Sequence, residues 1–260
     1  MPFKRVVILP WKMSSSGAKM VAAHLTTMGV ECLRVYPDRS YKPTTGDLIV
    51  GWGCGSRPLW ADHLSSVDCH YINSWSAICN SVDKITALGL FKRHKIPIPP
   101  FTLSGDTALS WSKDGHWVCC RQNVEGMDGA GLVLAMKPKE MVPARLYTQF
   151  IPNKKEFRLY CFAGRVLDIL KKVPDSDAKD KYIRTEANNY LYIRNNIGCT
   201  AKAQETAKAA TDALDLTFAG VDLIIGEDDE PYVLETNTAP GIGQITAHHI
   251  ANAIRSYAGL

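Results

Sequence analysis

Two carboxylates and one carboxamide near the carboxyl end of the chain have the residue types and spacing of a metal site. Asp222 lies in one apolar run, and Glu235 and Asn237 lie at the end of the next, with the acidic loop 227–230 between them. Apolar runs flanking a polar turn predict a β-hairpin. Glu235 and Asn237 are two residues apart, so they project from the same face of a strand. Such oxygen donors suit a hard cation such as Mg²⁺, which proteins commonly share with nucleotide phosphates.

The alternative interpretation is an ordinary hairpin whose acidic side chains are solvated. A glutamate inside an apolar strand, followed by Thr-Asn-Thr-Ala-Pro-Gly at 236–241, is harder to reconcile with that alternative. This segment resembles the last strand of the ATP-grasp superfamily, typically Glu-Val-Asn-Thr-x-Pro-Gly, and is most similar to its RimK and D-alanine ligase branch. The resemblance implies that the protein binds ATP and that Asp222, Glu235 and Asn237 hold Mg²⁺, for which Mn²⁺ is the expected substitute.

The first 72 residues alternate apolar runs with one helical segment. The hydroxyls of residues 14–16 predict a helix that ends near Met28. A β-α-β order implies a small parallel sheet. The serine-rich turn either caps the helix or holds an anion at the helix N-terminus, and loop 51–58 is either a ligand-binding loop or a plain turn. Strands are predicted at 5–10, 31–36 and 47–51.

A second helix is predicted to begin at Asn73 or Ser74 and to end before Pro97. A lone lysine in such a helix, here Lys84, is normally a surface charge. The order Asn, then Asp-Lys, then Ile-Pro-x-Pro is nevertheless similar to the first helix of the ATP-grasp fold. That similarity implies that Lys84 reaches a nucleotide phosphate.

Strands predicted at 117–122 and 131–136 flank a glycine-bearing turn, which many ordinary hairpins also have. In the ATP-grasp superfamily this turn is the lid over the triphosphate, and the strand before it usually carries a lysine. Arg121 stands at that position, and its planar guanidinium favours a bidentate phosphate contact. The resemblance assigns these residues to nucleotide binding: Arg121, Glu125, Gly126, Gly129 and Gly131.

Three further strands, 146–151, 156–162 and 166–173, are predicted to form an antiparallel meander. The resemblance implies that the first is the hinge between two subdomains. The alternative interpretation of Glu156 and Arg158 is a same-face pair on the sheet. Helices are predicted at 201–214 and 243–258, and 174–189 is predicted to be a charged loop. By resemblance, Gln149, Phe150 and Ile151 hold adenine, Glu156 lies beside the ribose, and Arg158 and Arg194 stabilise the reacting groups.

Composition narrows the class of protein. The 260 residues carry 30 basic and 26 acidic side chains, a net charge of +4 without a long basic run, so no nucleic-acid partner is expected. No apolar run approaches the roughly 20 residues that cross a bilayer, so no membrane partner is expected. Eight scattered cysteines favour reduced thiols, and the expected location is the cytoplasm. A homo-oligomer is compatible with the sequence.

The resemblance implies an ATP-grasp fold of the α/β (α+β) class. An N-terminal parallel α/β domain, residues 1–72, would precede two α+β subdomains, 73–148 and 149–260, that grip the nucleotide. The implied activity is ATP-dependent amide-bond formation between a carboxylate and an amine, from small molecules or peptides, through an acyl phosphate. Two alternatives remain open: an ATP-dependent small-molecule kinase of the same fold, and a non-catalytic ATP-binding module.

Overall fold

Three β-sheets, each built from its own stretch of chain, form the framework of the protein. The computed structural model describes residues 3–125, 131–184 and 186–260. Gly126 and Gly129 of the predicted lid lie outside the described residues. Within them, one sheet is parallel and two are antiparallel, which agrees with the predicted α/β (α+β) class.

The N-terminal sheet confirms the predicted β-α-β pattern. All its strands are parallel, in the order β2-β1-β3-β4. The Ser15 hydroxyl caps the first helix by accepting a hydrogen bond from the amide of Ala18 at 3.4 Å. The elements are β1 (Arg5–Pro10), α1 (Ser16–Thr27), β2 (Cys32–Arg34), β3 (Asp47–Trp52) and β4 (His70–Ile72).

A single helix was predicted after residue 73, and this prediction is wrong. The chain forms two helices there, α2 (Trp75–Val82) and α3 (Lys84–Arg93). Asp83 causes the break. It has an extended backbone, and its carboxylate accepts hydrogen bonds from the first amides of α3, at 2.9 Å from Ile85. Such a local bond competes with helix continuation. The break leaves Lys84 as the first residue of α3.

The central sheet is antiparallel, in the order β5-β8-β6-β7, and packs one face on α4. The sequence analysis had not assigned α4. The predicted meander is also wrong in its first strand, since β8 pairs with β5 and β6 and not with the strands that follow it. The elements are β5 (Phe101–Thr102), α4 (Gly105–Lys113), β6 (Val118–Arg121), β7 (Leu132–Ala135) and β8 (Leu146–Gln149).

The C-terminal sheet has five antiparallel strands in the order β11-β10-β9-β12-β13. It confirms the predicted terminal hairpin and both predicted helices, whereas β11 had not been predicted. The elements are β9 (Asn153–Phe162), β10 (Arg165–Pro174), β11 (Tyr190–Ile193), α5 (Ala201–Asp212), β12 (Phe218–Gly226), β13 (Pro231–Asn237) and α6 (Gln244–Ala258).

Two of the register shifts in this sheet, one in β10 and one in β13, set the pairing of charged residues. In β10 the pairing shifts by one residue between Val166 and Asp168, so that Lys172 faces Glu156. In β13 the shift leaves Leu234 as the extra residue, so that Glu235 faces Asp222. A bulge places one additional residue on one strand and redirects the side chains beyond it. Both redirected side chains are charged.

The N-terminal sheet and the C-terminal sheet share a hydrophobic core. Helices α1 and α6 pack together between them, and the rings of Trp52 and Phe218 stack with centroids 5.1 Å apart. The buried Asn73 side chain also contacts the start of β12. The other face of the C-terminal sheet packs against α3 and α5. These contacts leave the polar residues of β9, β12 and β13 at the edge of the shared core.

Candidate active site

One face of the C-terminal sheet carries a row of charged residues. Arg158 on β9 lies directly opposite Asp222 on β12, and Asp222 lies opposite Glu235 on β13. Directly opposed residues in an antiparallel pair project from the same face. The register therefore brings two carboxylates and a guanidinium side by side.

Asp222 and Arg158 form a bidentate ion pair in a buried setting. Nε of Arg158 donates to Oδ1 of Asp222 at 2.6 Å, and Nη2 donates to Oδ2 at 2.7 Å. The side chains are only 7% and 12% exposed. Burial by itself would raise the pKa of Asp222, but the charge and hydrogen bonds of Arg158, with the charges of Lys172 and Lys84, together outweigh it and lower that pKa below its ordinary value. Asp222 is therefore an anion at neutral pH.

Lys84 and Glu235 form a second pair at the same site. Nζ of Lys84 lies 3.2 Å from Oε2 of Glu235. Lys84 begins α3, and the first amides of this helix are already bonded: those of Ile85 and Thr86 to the Asp83 carboxylate, and that of Lys84 to the carbonyl of Val124. The contact with Glu235 is therefore made by the lysine side chain at the start of the helix.

Asn237, the third predicted metal ligand, ends β13. Its Oδ1 accepts a hydrogen bond from the amide of Ala239 at 3.0 Å. A carbonyl oxygen has two lone pairs, so one remains for another partner. Glu235, Asn237 and the adjacent Asp222 thus offer a donor set that fits a hard cation. Within the described residues, no group of three or more His, Cys, Asp or Glu forms a metal centre, so the carboxamide is needed to complete the set.

Glu156 and Lys172 form a third ion pair beside the first two. Both side chains are at most 10% exposed. Burial by itself would lower the pKa of Lys172, but the carboxylates of Glu156 and Asp222 raise it. The ring of Tyr192 lies 4.9 Å from the Arg158 guanidinium and 5.4 Å from the Lys172 ammonium, within cation–π range. The sequence analysis missed Lys172 and Tyr192; the lysine pair at 171–172 was the available signal.

A cavity of about 630 Å³ opens over these pairs. Its far wall comes from the N-terminal sheet, through Trp11, Lys12 and the start of α1 at Ser16. Five of the predicted site residues line it: Lys84, Glu125, Arg158, Glu235 and Asn237. Asp222 lies behind Arg158, 5% exposed.

A second cavity, of about 390 Å³, lies at the predicted hinge. The side chains of Trp117, Phe150 and Tyr182 form an aromatic cluster there, with Tyr182 edge-on to both other rings. The amides of Gln149 and Phe150 donate to the carbonyls of Pro100 and Trp117. Those two N–H groups are therefore occupied. The Ile151 carbonyl accepts from the Asn153 side chain at 3.2 Å.

Three predicted residues lie further from this row of pairs. Arg121 ends β6, on the face opposite the α4 core. Gly131 has a positive φ of 73°, and its carbonyl accepts from the amide of Gln122. Arg194 donates to Asp168 at 2.9 Å and to Thr246 of α6 at 2.7 Å. Arg194 therefore supports α6, and its predicted catalytic role stays a prediction.

The layered fold and the combination of paired acids and bases facing one cavity define an ATP-grasp domain. Residues 81–257 match the RimK-like ATP-grasp domain family. Since this match spans well over half of the chain, the protein belongs to that family. The sequence-based fold class and the family resemblance are both confirmed.

Two curated relatives are 27% and 29% identical to this chain over the aligned residues. A probable alpha-L-glutamate ligase of Rhodopirellula baltica is 27% identical over 212 residues, covering 75% of this chain and 51% of the relative. A D-alanine–D-alanine ligase of Paraburkholderia phytofirmans is 29% identical over 186 residues, covering 62% and 58%. The chain thus spans between one half and three fifths of the length of these two relatives.

Solved structures share the fold at low sequence identity. The ATP-grasp ligase PsnB, complexed with a minimal precursor, Mg and ADP, has a TM-score of 0.70 at 14% identity, covering 98% of this chain and 97% of that one. D-alanyl-alanine synthetase A of Vibrio cholerae has a TM-score of 0.68 at 13% identity, with both chains fully covered. At this identity the likeness concerns the fold alone. Across the described residues, the helices are too short or too polar to cross a membrane.

Proposed function

We propose that the protein is an ATP-dependent ligase that joins a carboxylate to an amine. One observation carries the proposal: Glu235 and Asn237 line the same cavity as Lys84 and Arg158. Oxygen donors for a metal and cations for phosphates therefore lie in one site. Phosphoryl transfer depends mainly on positioning and on charge neutralisation, and these residues supply both.

In this proposal ATP lies across the two subdomains, with its base at the hinge and its phosphates over the row of ion pairs. The aromatic side chain of Phe150 in the hinge cavity supports a planar base there. Since the amides of Gln149 and Phe150 are already bonded, we assign the hydrogen bonds to adenine to the remaining backbone groups of 149–151. Glu156, on the same strand as Arg158, is assigned to the ribose.

The reaction proceeds in two steps. An oxygen of the substrate carboxylate attacks the γ-phosphorus of ATP, and ADP leaves. The amine then attacks the carbonyl carbon of the acyl phosphate, inorganic phosphate leaves, and the nitrogen loses a proton. Bound Mg²⁺ supplies charge neutralisation between the phosphates. Lys84 and Arg121 orient the phosphates, while Arg158 and Arg194 stabilise the acyl phosphate and the oxyanion.

The remaining parts of the proposal concern organisation. We assign residues 1–72 to an N-terminal domain, 73–148 to the subdomain that carries the lid, and 149–260 to the subdomain that carries the metal site. Glu125, Gly126, Gly129 and Gly131 form the lid. The substrates are a small-molecule or peptide carboxylate and an amine, and the reaction takes place in the cytoplasm.

Isotope transfer tests the proposed chemistry directly. The relatives' names suggest L-glutamate and D-alanine as the first acids and amines, tested in pairs with MgATP and followed by short peptides. With an ¹⁸O-labelled carboxylate, one label should appear in inorganic phosphate for each amide formed, because the acyl phosphate breaks between carbon and oxygen. ADP accompanied by a phosphomonoester would instead identify a kinase, and ATP that binds but stays intact would identify a binding module.

Nucleotide binding is tested separately, without the substrates. Saturating MgATP should raise the melting temperature, because a ligand at about 100 times its dissociation constant adds about 2.7 kcal/mol to the unfolding free energy. Glu235→Gln, which keeps the shape of the side chain, serves as the comparison. If calorimetry detects no MgATP binding to the wild-type protein, the nucleotide assignment is wrong.

A further inference from the structure

Each of the three acids Glu156, Asp222 and Glu235 contacts one base, and the base of Glu235 is Lys84 of α3. With all six groups ionised, the set is electrically balanced without any ligand. Two of these pairs join a proposed metal ligand to a cation: Lys84, proposed to orient the nucleotide phosphates, and Arg158, proposed to stabilise the acyl phosphate that forms from the γ-phosphate. The inference below rests on the proposed function and concerns how metal and nucleotide enter this balanced site.

The ion pair of Asp222 and Arg158 disfavours the binding of a metal without nucleotide. Each carboxylate oxygen of Asp222 already accepts one guanidinium N–H, at 2.6 and 2.7 Å. A cation that bound Asp222 would displace at least one of these bonds. It would also leave Arg158, 12% exposed, without its counter-charge, which is costly for a buried ion.

The pair of Lys84 and Glu235 poses the same problem for a nucleotide alone. A phosphate that draws Lys84 away from Glu235 leaves that carboxylate facing a second carboxylate, Asp222, directly opposite on the neighbouring strand. Phosphate oxygens would add further negative charge. Like charges on opposed strand positions are destabilising.

We infer that Arg158 and Lys84 are internal counter-ions of the metal site and exchange partners when ligands arrive. The divalent metal takes the carboxylates of Asp222 and Glu235, and the nucleotide phosphates take the two cations. Only the simultaneous arrival of both ligands leaves all four charges of these two pairs compensated. Metal and nucleotide therefore each bind weakly alone and strongly together, which is a coupling free energy built into the site.

Mn²⁺ in the absence of nucleotide is the first probe, measured by electron paramagnetic resonance. Removing the charge of Lys84 releases Glu235, so Lys84→Met should bind free Mn²⁺ about tenfold more tightly than the wild type, equivalent to about 1.4 kcal/mol. Lys12→Met is the matched control. Lys12 lines the same cavity, but its ammonium lies over the ring of Trp11, 4.1 Å from the centroid. Loss of the Lys12 charge should therefore leave the affinity for Mn²⁺ almost unchanged.

The reverse experiment uses a non-hydrolysable ATP analogue in the presence of EDTA. Glu235→Gln removes the carboxylate charge that Lys84 contacts and that repels phosphate, so this variant should bind the metal-free analogue more tightly than the wild type, although it binds the Mn²⁺ complex more weakly. This opposite response is not expected of a side chain that only holds the metal.

Arg158→Met gives an independent readout through stability. Its melting temperature without ligands should be lower than that of the wild type, because Asp222 stays buried without a partner, and Mn²⁺ alone should restore it. Equal affinity of free Mn²⁺ for the wild type, Lys84→Met and Lys12→Met would overturn the exchange, as would an Arg158→Met protein that metal does not stabilise. Failure of wild-type protein to bind even the Mn²⁺ complex of the analogue would instead refute the proposed function.

Discussion

At the scale of single residues, Glu235 offers the sharpest separation of chemistry from binding. Its carboxylate is proposed to hold the metal that offsets charge developing during phosphoryl transfer. Glu235→Gln keeps the size but removes the charge. We expect the turnover rate to fall roughly 100-fold to 1000-fold, in line with the loss of one preorganised electrostatic contact, while the fold persists. Steady-state release of ADP with the true substrates measures it.

Asp229→Asn is the control for that variant. Asp229 lies in the turn of the same hairpin and forms an ion pair with Lys154 at 2.9 Å, and the aspartate side chain is 79% exposed. Exposed pairs contribute little, and asparagine tolerates its positive φ of 65°. If both variants released ADP at the same rate, Glu235 would be only a strand residue and the metal site would have to be abandoned.

A second prediction at this scale concerns acid stability. Asp47 is 1% exposed and accepts hydrogen bonds from Arg5 at 2.6 Å and from the amide of Thr44 at 2.8 Å. Burial alone would raise the pKa of Asp47, but the Arg5 and Tyr41 side chains outweigh it and lower that pKa. A lowered pKa adds stability above the ordinary aspartate value of about 3.9, and that stability is lost as the pH falls through the lowered value.

Asp47→Asn should therefore lower the unfolding free energy by about 2–4 kcal/mol at neutral pH, since it removes the buried counter-charge of Arg5 and leaves only the exposed carboxylate of Glu31, at 3.6 Å, as its ion-pair partner among the described residues. The difference from the wild type should shrink at pH 3 and below. Urea unfolding at the two pH values measures it. Asp62→Asn, which removes an exposed partner of Arg57, is the control and should behave like the wild type at both.

At the scale of elements, the side chain of Asn73 links the residues just before α2 to the start of β12. Nδ2 of Asn73 donates to the carbonyl of Phe218 at 2.6 Å, and Oδ1 accepts from the amides of Thr217 and Phe218. Asn73 is buried and has a positive φ of 49°, a conformation that asparagine tolerates better than most residues. These bonds give a structural reason for the asparagine in the Asn, Asp-Lys pattern.

Asn73→Ala should lower the unfolding free energy by about 2–4 kcal/mol, because it leaves buried backbone groups of β12 without partners. Asn195→Ala, at an exposed position, should change it little. Equilibrium denaturation of both variants measures the difference. A cost for Asn73→Ala no larger than for Asn195→Ala would mean that β12 does not depend on this contact.

Sequence patterns predicted most elements but not the pairings that build the site. Apolar runs and turn residues located β1, β3, β12 and β13. Continued from the turn at Gly164, the β9–β10 register would place Lys171 opposite Glu156, whereas the bulge places Lys172 there. Similarly, Leu234 and not Glu235 would face Asp222 without the bulge in β13. Bulges arise from tertiary packing, so local periodicity does not reveal them. The predicted roles of the site residues came from the resemblance to the ATP-grasp superfamily and not from the periodicity of the strands.

At the scale of the whole molecule, the cavity depends on how closely the loop after β3 approaches the turn after β13. Gly53, in the loop after β3, has a positive φ of 71°. A Cβ there would lie 2.6 Å from Cβ of Ala239 and 3.3 Å from the ring of Trp11. The loop and the turn therefore approach each other so closely that glycine is required. Trp11 and Ala239 both line the large cavity.

Gly53→Ala should consequently force the loop and the turn apart. We expect a loss of about 1–3 kcal/mol in unfolding free energy, from overpacking and from the unfavourable φ, together with weaker MgATP binding as Asn237 and its neighbours shift.

Gly89→Ala is the control. Gly89 lies within α3 with open space around its Cβ position, so alanine there should add about 0.4–1 kcal/mol to the unfolding free energy. Denaturant unfolding and calorimetry on both variants measure these effects. If Gly53→Ala matched the wild type in stability and in MgATP affinity, the loop after β3 would not set the position of the turn after β13, and the cavity would depend on the central and C-terminal sheets alone.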